Sequence, residues 1–530
     1  MQRPKPAIEF SFQKALDCHK SGQLVQAKKI CENIIAQSPD SPDTLNLLGL
    51  IAYQQRDFDT AIALISRAVR IAPDRPAYYY ILGNAYKDKG LQSQAMACYR
   101  RVVKLKPDMP DALFNLALVH AESGECDTAV HYYQRVLKIV PDSAETLYNL
   151  ASLIAKGGRI DDAIRLLQKA VRIRPGHADS YNNLGLNLKA LGKLEEAIRQ
   201  FRRAIEIDPA LAHVHLNLAL ALLLAGKFSE GWHEYDWRFE VEAYKSDYRY
   251  RDRKIWDGKS FKGKCLLVHD DQGLGDTLQF VRYLPLVKKM GGTVILETRR
   301  EIIPLLTEFP GIDLLLVRPP ENPSNVKFDY YIPLLSIPGR MGTQHDSIPA
   351  NIPYLYGETE KNDFLKEKMK RPGLKIGLVW AGNKSHINDR NRSCSLERFS
   401  WLQDISNISL FSLQKRVSPA EEIQLNKLGA ENFGPQFKDF SDTAAVIENL
   451  DLVITVDTAA AHLAGAMGKT AWILLPFDPD WRWMTECADS PWYPTVMLFR
   501  QGRPGDWDGV MSTVCRALKE RVLPSGVDAE

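Results

Sequence analysis

A glycine-rich stretch follows an apolar run that ends at His269. Residues 271–276 read Asp-Gln-Gly-Leu-Gly-Asp. Gly273 and Gly275 allow a tight turn and a close approach of the backbone to a ligand, and Asp276 stands where a helix would begin. A carboxylate at this point could take part in proton transfer or could only cap the helix. The stretch lacks a full G-x-G-x-x-G pattern, which argues against a dinucleotide-dependent oxidoreductase.

A second polar step follows the apolar run Leu452–Val456. Asp457 and Thr458 precede three alanines and His462. A strand that opens into a helix presents unpaired N–H groups and the positive end of the helix dipole, and small side chains let a phosphate come near them. The alternative is an N-cap followed by a tightly packed helix in which His462 is buried. The position after an apolar strand favours binding, and we predict an anion at this helix start.

Further polar and aromatic residues follow other apolar runs of the same region. The loop after Leu374–Val379 could contact a ligand or could be a solvated turn; its candidates are Trp380, Asn383, His386, Asn388, Arg390 and Arg392. Residues 480–483 read Asp-Trp-Arg-Trp, and their aromatic rings could stack on a base or a sugar, or pack in the core. Core packing explains Arg482 less well, so we predict that Arg482 binds a ligand.

These residues need elements that position them. From Lys264 onward, short apolar runs alternate with amphipathic segments, which predicts parallel strands with helical crossovers. The predicted strands form two series, and the second begins at Leu374; the runs are 265–269, 293–296, 314–317, 374–380, 408–412, 452–456, 470–475 and 495–499. We predict helices over 276–290 and 507–521, the latter packing back across the first sheet. Two Rossmann-like halves that face a cleft form the GT-B arrangement of nucleotide-sugar transferases.

The first half of the chain follows a different rule. Proline recurs every 34 residues at positions 39, 73, 107, 141, 175 and 209. In the same frame small residues fall at 15, 49, 83, 117, 151, 185 and 219, and glycines at 22, 90, 124, 158, 192 and 226. This pattern resembles the tetratricopeptide repeat (TPR), which implies stacked helix pairs that form a superhelix with a concave surface. The segment 231–239, rich in aromatic residues, breaks the frame and reads as a capping helix.

Asparagine recurs inside the frame at Asn115, Asn149, Asn183 and Asn217. Because asparagine is a mediocre helix former, its recurrence on one helix face needs another reason. A row of carboxamides could hold the backbone of an extended peptide, since each offers a donor and an acceptor. Each asparagine could instead bridge to its neighbouring repeat. We predict an acceptor-binding row and keep the bridging alternative open.

Composition excludes some classes of partner. The net charge of +3 over 530 residues gives no reason to expect nucleic acid. Eight cysteines without a C-x-x-C pair fit reduced thiols, so we predict no metal site and a cytoplasmic protein. The N-terminal residues lack the apolar segment of a signal peptide, and the longest apolar run, 218–225, is too short for a membrane span.

The second half also resembles a known family. The segments GLGDTLQFVRYLPL, GLVWAGN, SLQK and VDTAAAHLAGAMGK, in this order, look like the glycosyltransferase family 9 heptosyltransferase-like domain over residues 264–521. Joined to the repeats, the chain resembles a bacterial TPR glycosyltransferase, and its plan is similar to that of the protein O-linked N-acetylglucosamine transferases. The predicted fold class is therefore α + α/β, an N-terminal all-α TPR superhelix followed by a GT-B domain of two Rossmann-like halves.

The resemblance implies roles for individual residues. The aspartate of the family's first glycine-rich loop is the proposed base, which corresponds to Asp276, and His269 is the alternative base. The family's D-T-G-x-x-H-L segment binds donor diphosphate and sugar, which implies donor contacts at Asp457, Thr458, Ala459, Ala460 and His462, although this chain has alanine in place of that glycine. Lys415 matches a lysine that related enzymes place on the diphosphate. The predicted donor site also includes Gly273, Gly275, Trp380, Asn383 and Arg482.

These interpretations give one preferred function and two alternatives. We predict a metal-independent hexosyl- or heptosyltransferase that moves a sugar from a nucleotide sugar, its substrate and not a cofactor, to a hydroxyl of a protein or peptide held by the repeats. The alternatives are a transferase for glycan or lipid-linked acceptors, with repeats that serve assembly such as homo-oligomer formation, and a non-catalytic interaction protein that binds nucleotide. The predicted domains are 1–245 (repeats), 246–261 (connector), 262–355 (first half) and 356–530 (second half).

Overall fold

The computed structural model describes residues 6–247, 249–250, 252–319, 326–386, 388–485 and 487–522. The chain divides into two compact units, residues 1–187 and 188–530. The predicted domain limits at 245, 261 and 355 stay predictions, and residues 248 and 251 of the predicted connector lie outside the described residues.

Residues 6–235 form consecutive helices, as the 34-residue period predicts, and successive helices such as α3 and α4 or α5 and α6 pack against each other. The helices are α1 (Pro6–Lys20), α2 (Leu24–Gln37), α3 (Pro42–Gln54), α4 (Phe58–Ile71), α5 (Pro76–Asp88), α6 (Gln92–Leu105), α7 (Pro110–Glu122), α8 (Cys126–Ile139), α9 (Ala144–Lys156), α10 (Ile160–Ile173), α11 (Ala178–Ala190), α12 (Leu194–Ile207), α13 (Ala212–Leu224) and α14 (Phe228–Tyr235). Pro42, Pro76 and Pro110 lie in the first turn of α3, α5 and α7, where a missing N–H costs nothing.

Small residues of the repeat frame lie where two helices cross closely. A Cβ atom at Gly83 would come within 2.7 Å of the Tyr99 ring, and one at Gly49 would come closer still to the Ile65 side chain, so only glycine fits the present spacing. The turn glycines, such as Gly90 with φ +81°, adopt the left-handed conformation that the frame predicts. Arg56 occupies the equivalent turn position of the second repeat with φ +63°.

A hydrogen bond recurs with the period of the repeat. A basic side chain on the second helix of a repeat donates to a proline carbonyl 28 residues earlier; the pairs are Arg67 to Pro39, Arg101 to Pro73, Arg135 to Pro107 and Lys169 to Pro141. The recurrent proline therefore marks the carbonyl that ties successive helix pairs together.

The second unit begins within α11 and includes α12 to α14. A 3₁₀ helix, Asp236–Glu240, continues from α14, and residues 228–240 together are called the capping segment below. A further 3₁₀ helix spans Glu242–Asp247. The segment 231–239 thus ends the helical repeats, as predicted.

The first sheet has four parallel strands. They are β1 (Cys265–His269), β2 (Thr293–Thr298), β3 (Leu314–Val317) and β4 (Tyr330–Pro333), in the order β3-β2-β1-β4. The connecting helices are α15 (Leu274–Phe280), α16 (Leu284–Lys289), α17 (Ile303–Leu306) and α18 (Ile337–Arg340). Strand β4 was not predicted. The helix predicted over 276–290 is wrong as a single element, because a 3₁₀ turn, Val281–Tyr283, precedes Pro285 in the first turn of α16.

The second sheet has six parallel strands. They are β5 (Leu374–Val379), β6 (Ile408–Ser412), β7 (Glu431–Asn432), β8 (Leu452–Val456), β9 (Ala471–Leu475) and β10 (Val496–Arg500), in the order β10-β9-β8-β5-β6-β7. The helices are α19 (Thr359–Lys368), α20 (Asp389–Arg392), α21 (Pro419–Lys427), α22 (Phe440–Glu448), α23 (Ala459–Ala466) and α24 (Trp507–Val522). The fold class α + α/β is confirmed. Strand β7 and helix α19 were not predicted.

Helix α24 packs on the second sheet. Its buried face, which includes Trp507, Val510 and Val514, belongs to the same apolar cluster as Ile454 and Trp472 of β8 and β9. The prediction that this helix packs back across the first sheet is wrong. An amphipathic helix fixes which of its faces is buried, but its sequence does not say which of two apolar sheets covers that face.

Candidate functional site

The carboxyl ends of β1 and β8 each open into a helix that carries predicted site residues. Helix α15 begins at Leu274 after β1, and α23 begins at Ala459 after β8. These two helices pack against each other, so the loops from both sheets meet. The crevice outside the carboxyl ends of parallel strands is where α/β proteins generally bind ligands.

Asp276 lies in the first turn of α15. Its Oδ2 accepts a hydrogen bond of 2.7 Å from the Gly273 N–H, and Gly273 is the N-cap residue of the helix. Its Oδ1 accepts a hydrogen bond from Arg482 Nη2. Burial raises the pKa of the Asp276 carboxyl above its ordinary value, and the Arg482 guanidinium opposes that shift. Asp276 is therefore both an N-cap partner and a largely shielded carboxylate with a raised pKa.

Arg482 lies on a 3₁₀ turn, Trp481–Trp483, that follows β9. Besides Asp276 it donates from Nε to Gln279 Oε1 at 2.8 Å and from Nη1 to Asp480 Oδ1 at 2.8 Å. Its guanidinium carbon stands 4.5 Å from the centre of the Trp481 ring. Only 5% of the residue is exposed. Arg482 thus joins the turn after β9 of the second sheet to α15, which follows β1 of the first sheet, through paired charges. A bound ligand could reach Arg482 only past those partners.

Small residues let α15 and α23 approach closely. A Cβ atom at Gly275 would come within 2.9 Å of His462 Cδ2 and 3.4 Å of Ala459 Cα. A Cβ atom at Gly465 would come within 2.5 Å of the Tyr493 ring. Packing between helices therefore accounts for much of the small-residue content of α23, which is the alternative that the sequence left open.

His462 is buried at this contact. Its Nδ1 lies 3.1 Å from the Tyr493 hydroxyl, and its ring stacks on Trp483 at 5.3 Å between centres. Burial, and next the Arg482 charge, lower the pKa of His462 to about 3. The ring is therefore neutral at physiological pH, and its predicted contact with a donor sugar stays a prediction.

The start of α23 remains accessible. Residues 457–460 are each partly exposed, whereas residues 461–467 are buried. The Thr458 side chain does not cap the helix; its hydroxyl lies 3.2 Å from that of Thr455. Burial, and next the Asp480 carboxylate, raise the pKa of Asp457 to about 6. The residues that begin α23 are thus not fully buried, and an anion at its first amides stays a prediction.

The site residues predicted in the loop after β5 differ in their exposure to solvent. Trp380 is 1% exposed and donates from Nε1 to Glu421 Oε1 at 2.7 Å, so its ring packs in the core, and its predicted contact with a donor stays a prediction. Asn383 is exposed and accepts from the Ser385 N–H at 3.2 Å. Partial desolvation, and next Arg392, lower the pKa of His386, while the carboxylates Asp480, Asp389 and Asp276 oppose that shift.

His269 does not fit its predicted role as the alternative base. The residue is 1% exposed, its ring stacks on Tyr331 at 6.2 Å between centres, and its Nδ1 lies 3.1 Å from the Asp270 carbonyl. Burial lowers the pKa of His269 to about 4. A side chain without access to solvent cannot take a proton from an acceptor hydroxyl. Lys415, in contrast, is exposed at the carboxyl end of β6.

Two members of the asparagine row bridge to the preceding repeat. Asn115 Nδ2 donates to Asn84 Oδ1 at 3.1 Å, and Asn183 Nδ2 donates to Ser152 Oγ at 3.1 Å. Each partner lies 31 residues earlier, which is the bridging alternative. Asn149 and Asn217 are partly exposed. Acceptor binding by this row stays a prediction.

Sequence reasoning missed two contributors to the site. Gln279 lies one turn after Asp276 on α15, a spacing that predicts a shared helix face, and its Nε2 is buried without a hydrogen-bond partner among the described residues. Tyr235, of the capping segment, contacts the loop before α15 through Gln272, and no local pattern signals that contact. Among the described residues, no group of three His, Cys, Asp or Glu side chains could hold a metal ion. No helix in the described ranges is long and apolar enough to cross a membrane.

The comparisons with known proteins match the repeats. Four family models of the tetratricopeptide repeat match residues 19–85, 83–124, 111–143 and 142–210, so the chain carries TPR repeats. Among solved structures, MamA aligns at 26% identity and a TM-score of 0.30, covering 31% of this chain and 97% of MamA. YrrB, described as a TPR protein with an unusual peptide-binding site, aligns at 20% identity and a TM-score of 0.32, covering 35% of this chain and 95% of YrrB.

Two curated proteins are also similar. Protein FlbA of Caulobacter vibrioides is 27% identical over 288 residues, which cover 50% of this chain and 48% of FlbA. A probable UDP-N-acetylglucosamine–peptide N-acetylglucosaminyltransferase SEC of Arabidopsis thaliana is 35% identical over 72 residues, which cover 14% of this chain and 7% of that protein. The match thus spans about half of FlbA and a small part of SEC.

Proposed function

We propose that this chain is a glycosyltransferase that moves a sugar from a nucleotide sugar to a hydroxyl of a protein or peptide acceptor. The observation that carries the proposal is the hydrogen bond between Asp276, on the helix after β1 of the first sheet, and Arg482, on the turn after β9 of the second sheet. The accessible start of α23 lies on the helix that packs against α15. A carboxylate with a raised pKa, an arginine and free helix amides are the groups that a transferase needs at one point.

The chemistry assigns each group a task. The first amides of α23 and the exposed Lys415 attract the leaving diphosphate, and no metal ion is required for this task. Asp276 accepts the proton of the acceptor hydroxyl, for which the raised pKa makes it a better base than an ordinary aspartate. We propose direct displacement at the sugar carbon by the acceptor oxygen, without a covalent sugar–enzyme intermediate.

The wider plan supports the same class. The segments that resemble the family 9 heptosyltransferase-like domain include both the Asp276 loop and the α23 start, which together suggest a GT-B domain. The name of the Arabidopsis relative includes a UDP-sugar donor and a peptide acceptor. UDP-N-acetylglucosamine and a peptide acceptor are therefore the first pair to test.

The donor is tested by thermal shift with UDP-, GDP-, ADP- and CMP-sugars on the full chain. A donor that binds the folded state raises the melting temperature by mass action. We expect one nucleotide series to do so, and the active donor then to support transfer. Asp276→Ala should lower the transfer rate by about 10²- to 10⁴-fold while donor binding persists. A shift with no transfer in either protein would favour a non-catalytic TPR protein that binds nucleotide.

The acceptor is tested by changing the asparagine row. Replacing Asn115, Asn149, Asn183 and Asn217 by alanine should lower kcat/KM for a peptide acceptor and leave donor binding unchanged. If turnover stays intact in a variant that remains folded, the acceptor does not use this row, which favours a glycan or lipid-linked acceptor and repeats that serve assembly.

The cellular setting belongs to the same proposal. The eight cysteines are free thiols in the structure, which suits a reducing compartment. We propose a cytoplasmic location, and fractionation of cells that express the chain tests it.

A further inference from the structure

The capping segment contacts the loop that carries the proposed base. Arg238 is 1% exposed and donates to Asp271 Oδ2 from Nη2 at 3.0 Å and from Nε at 3.3 Å. Asp271 is the second residue after β1, and its Oδ1 accepts from the Leu335 N–H at 3.2 Å. A buried, charged hydrogen-bond pair of this kind fixes the start of the loop because breaking it would leave an unpaired charge.

A second contact lies one residue further along. Gln272 Nε2 donates to the Tyr235 hydroxyl at 2.9 Å, and Tyr235 is 2% exposed. Gln272 has φ +61°, a left-handed conformation that costs a residue with a Cβ atom free energy and persists only where neighbours hold it. The next residue is Gly273, whose N–H donates to Asp276. Tyr235 therefore bonds to the residue whose backbone aims that N–H.

The capping segment also contacts the turn after β9 that carries Arg482. Trp232 packs edge-on against Trp481, the neighbour of Arg482, at 5.3 Å between ring centres, and Tyr235 packs against Trp481 at 6.3 Å. Asp276 accepts hydrogen bonds from the Gly273 N–H and from Arg482. The capping segment thus contacts the residue before each donor, Gln272 before Gly273 and Trp481 before Arg482.

We propose that Tyr235 is a positioning residue for Asp276, so that the end of the helical repeats forms part of the catalytic domain's own machinery. The proposal rests on the proposed function. Tyr235 bonds through its hydroxyl to the Gln272 side chain, and Arg299 Nη2 donates to the Gln272 carbonyl; together they hold the peptide unit that directs the Gly273 N–H to Asp276. The Gly273 N–H lowers the pKa of Asp276 against the effect of burial. Loss of the hydroxyl should therefore raise that pKa further.

Tyr235→Phe tests this with little risk to folding, because the ring and its contacts remain. We expect kcat to fall about tenfold, since a misdirected base loses reactive geometry, while KM for the donor stays the same. The acid limb of the kcat/KM profile should move to higher pH. The charged or titratable groups that face Asp276 are Arg482, Asp480, Asp271, His386 and Tyr235 itself, and all but the phenol are retained in the variant. Burial raises the pKa of the Tyr235 phenol, so its own ionisation does not produce that limb.

Tyr78→Phe is the matched control. Tyr78 is 4% exposed and its hydroxyl donates to Asp43, so this variant also removes one hydroxyl hydrogen bond from a buried tyrosine, in the first unit. It should leave the kcat and the acid limb unchanged. Hydrogen exchange provides a readout that does not depend on activity: in Tyr235→Phe the amides of residues 272–276 should exchange about fivefold faster, the value of one hydrogen bond of roughly 1 kcal/mol.

The outcomes separate the two proposals. If the native chain transfers sugar but Tyr235→Phe matches Tyr78→Phe in kcat, acid limb and exchange, the positioning role is overturned and the transferase stands. If the native chain transfers no sugar, the proposed function fails, and the exchange of residues 272–276 still decides whether Tyr235 holds this loop.

Discussion

Arg482 donates a hydrogen bond to Asp276 across 206 residues of sequence. The pair joins the 3₁₀ turn after β9 to the first turn of α15, and both side chains are largely shielded from solvent. The guanidinium favours the charged form of a carboxylate whose pKa burial raises. Its removal should therefore leave a weaker acid at the centre of the candidate site.

Arg482→Met tests this relationship. Without the guanidinium the pKa of Asp276 should rise further, so the acid limb of kcat/KM should move to higher pH, and kcat/KM at neutral pH should fall by on the order of tenfold. A pH series of initial rates measures both effects. Lys189→Met is the control, because it removes another ion pair of the same region, to Asp478, that does not include Asp276. An unmoved acid limb in Arg482→Met would contradict the electrostatic link.

Asp457 should lower the free energy of unfolding of the protein at pH values above the pKa of its carboxyl group. Burial raises that pKa to about 6, whereas an aspartate in the unfolded chain ionises near its ordinary value. Stability therefore falls as pH rises from about 4 to about 6, because the folded state resists the ionisation. Asp457→Asn removes that loss and should stabilise the protein by about 1–2 kcal/mol above pH 7, and not near pH 4.

Denaturant unfolding at pH 4.5 and 7.5 would measure that difference, at concentrations matched for the native chain and the variant. Asp111→Asn, at an exposed aspartate of the repeats, is the control. An equal stability change at both pH values would show that the effect of Asp457→Asn is not electrostatic.

The protein should be less stable with Arg56 than with glycine at the turn between α3 and α4. The φ of Arg56 is +63°, and the equivalent turn position of every other described repeat has glycine. Arg56→Gly should raise the free energy of unfolding by about 1 kcal/mol, reduced slightly by the lost contact with the Phe58 ring at 6.0 Å. The reverse change, Gly90→Ala, should lower it by a similar amount, since a Cβ atom there meets nothing within 4 Å and only the backbone conformation opposes it. Thermal unfolding of both variants decides the sign.

Asn115 should contribute to stability whether or not it binds a peptide. Its Nδ2 donates to Asn84 at 3.1 Å and to the Tyr80 hydroxyl at 3.4 Å. Asn115→Ala should cost about 1 kcal/mol. A double-mutant cycle with Asn84→Ala measures the share of that bond, and additive losses would show that the two carboxamides do not stabilise each other.

The repeats could be predicted almost completely because their signal is periodic. One proline every 34 residues identifies the frame, and the turn glycines and small crossing residues follow from it. The strands that precede Asp276 and Asp457 were also predictable, since apolar runs and the residues after them are local features. Strand β7, with two residues, is too short to produce such a run.

The contacts of the site could not be predicted, because they join distant parts of the chain. Trp380 follows β5 directly, and only its bond to Glu421, on α21, reveals that it faces the core. His269 is the last residue of β1, and its side chain packs against Tyr331 of β4, a strand that was not predicted from the sequence. The Tyr235 to Gln272 bond requires the capping segment to contact the first sheet's loop, which no spacing encodes.

The close approach of Gly275 to His462 and Ala459 has a consequence for motion. Gly275 has no side chain, so α15 lies directly against His462 and Ala459 of α23, and the two helices cannot come nearer to each other there. Any rearrangement that admits a bulky substrate must rotate the halves about this contact or displace surface loops. We therefore expect the pair of helices to act as a pivot, with the largest displacements in the loops farthest from it.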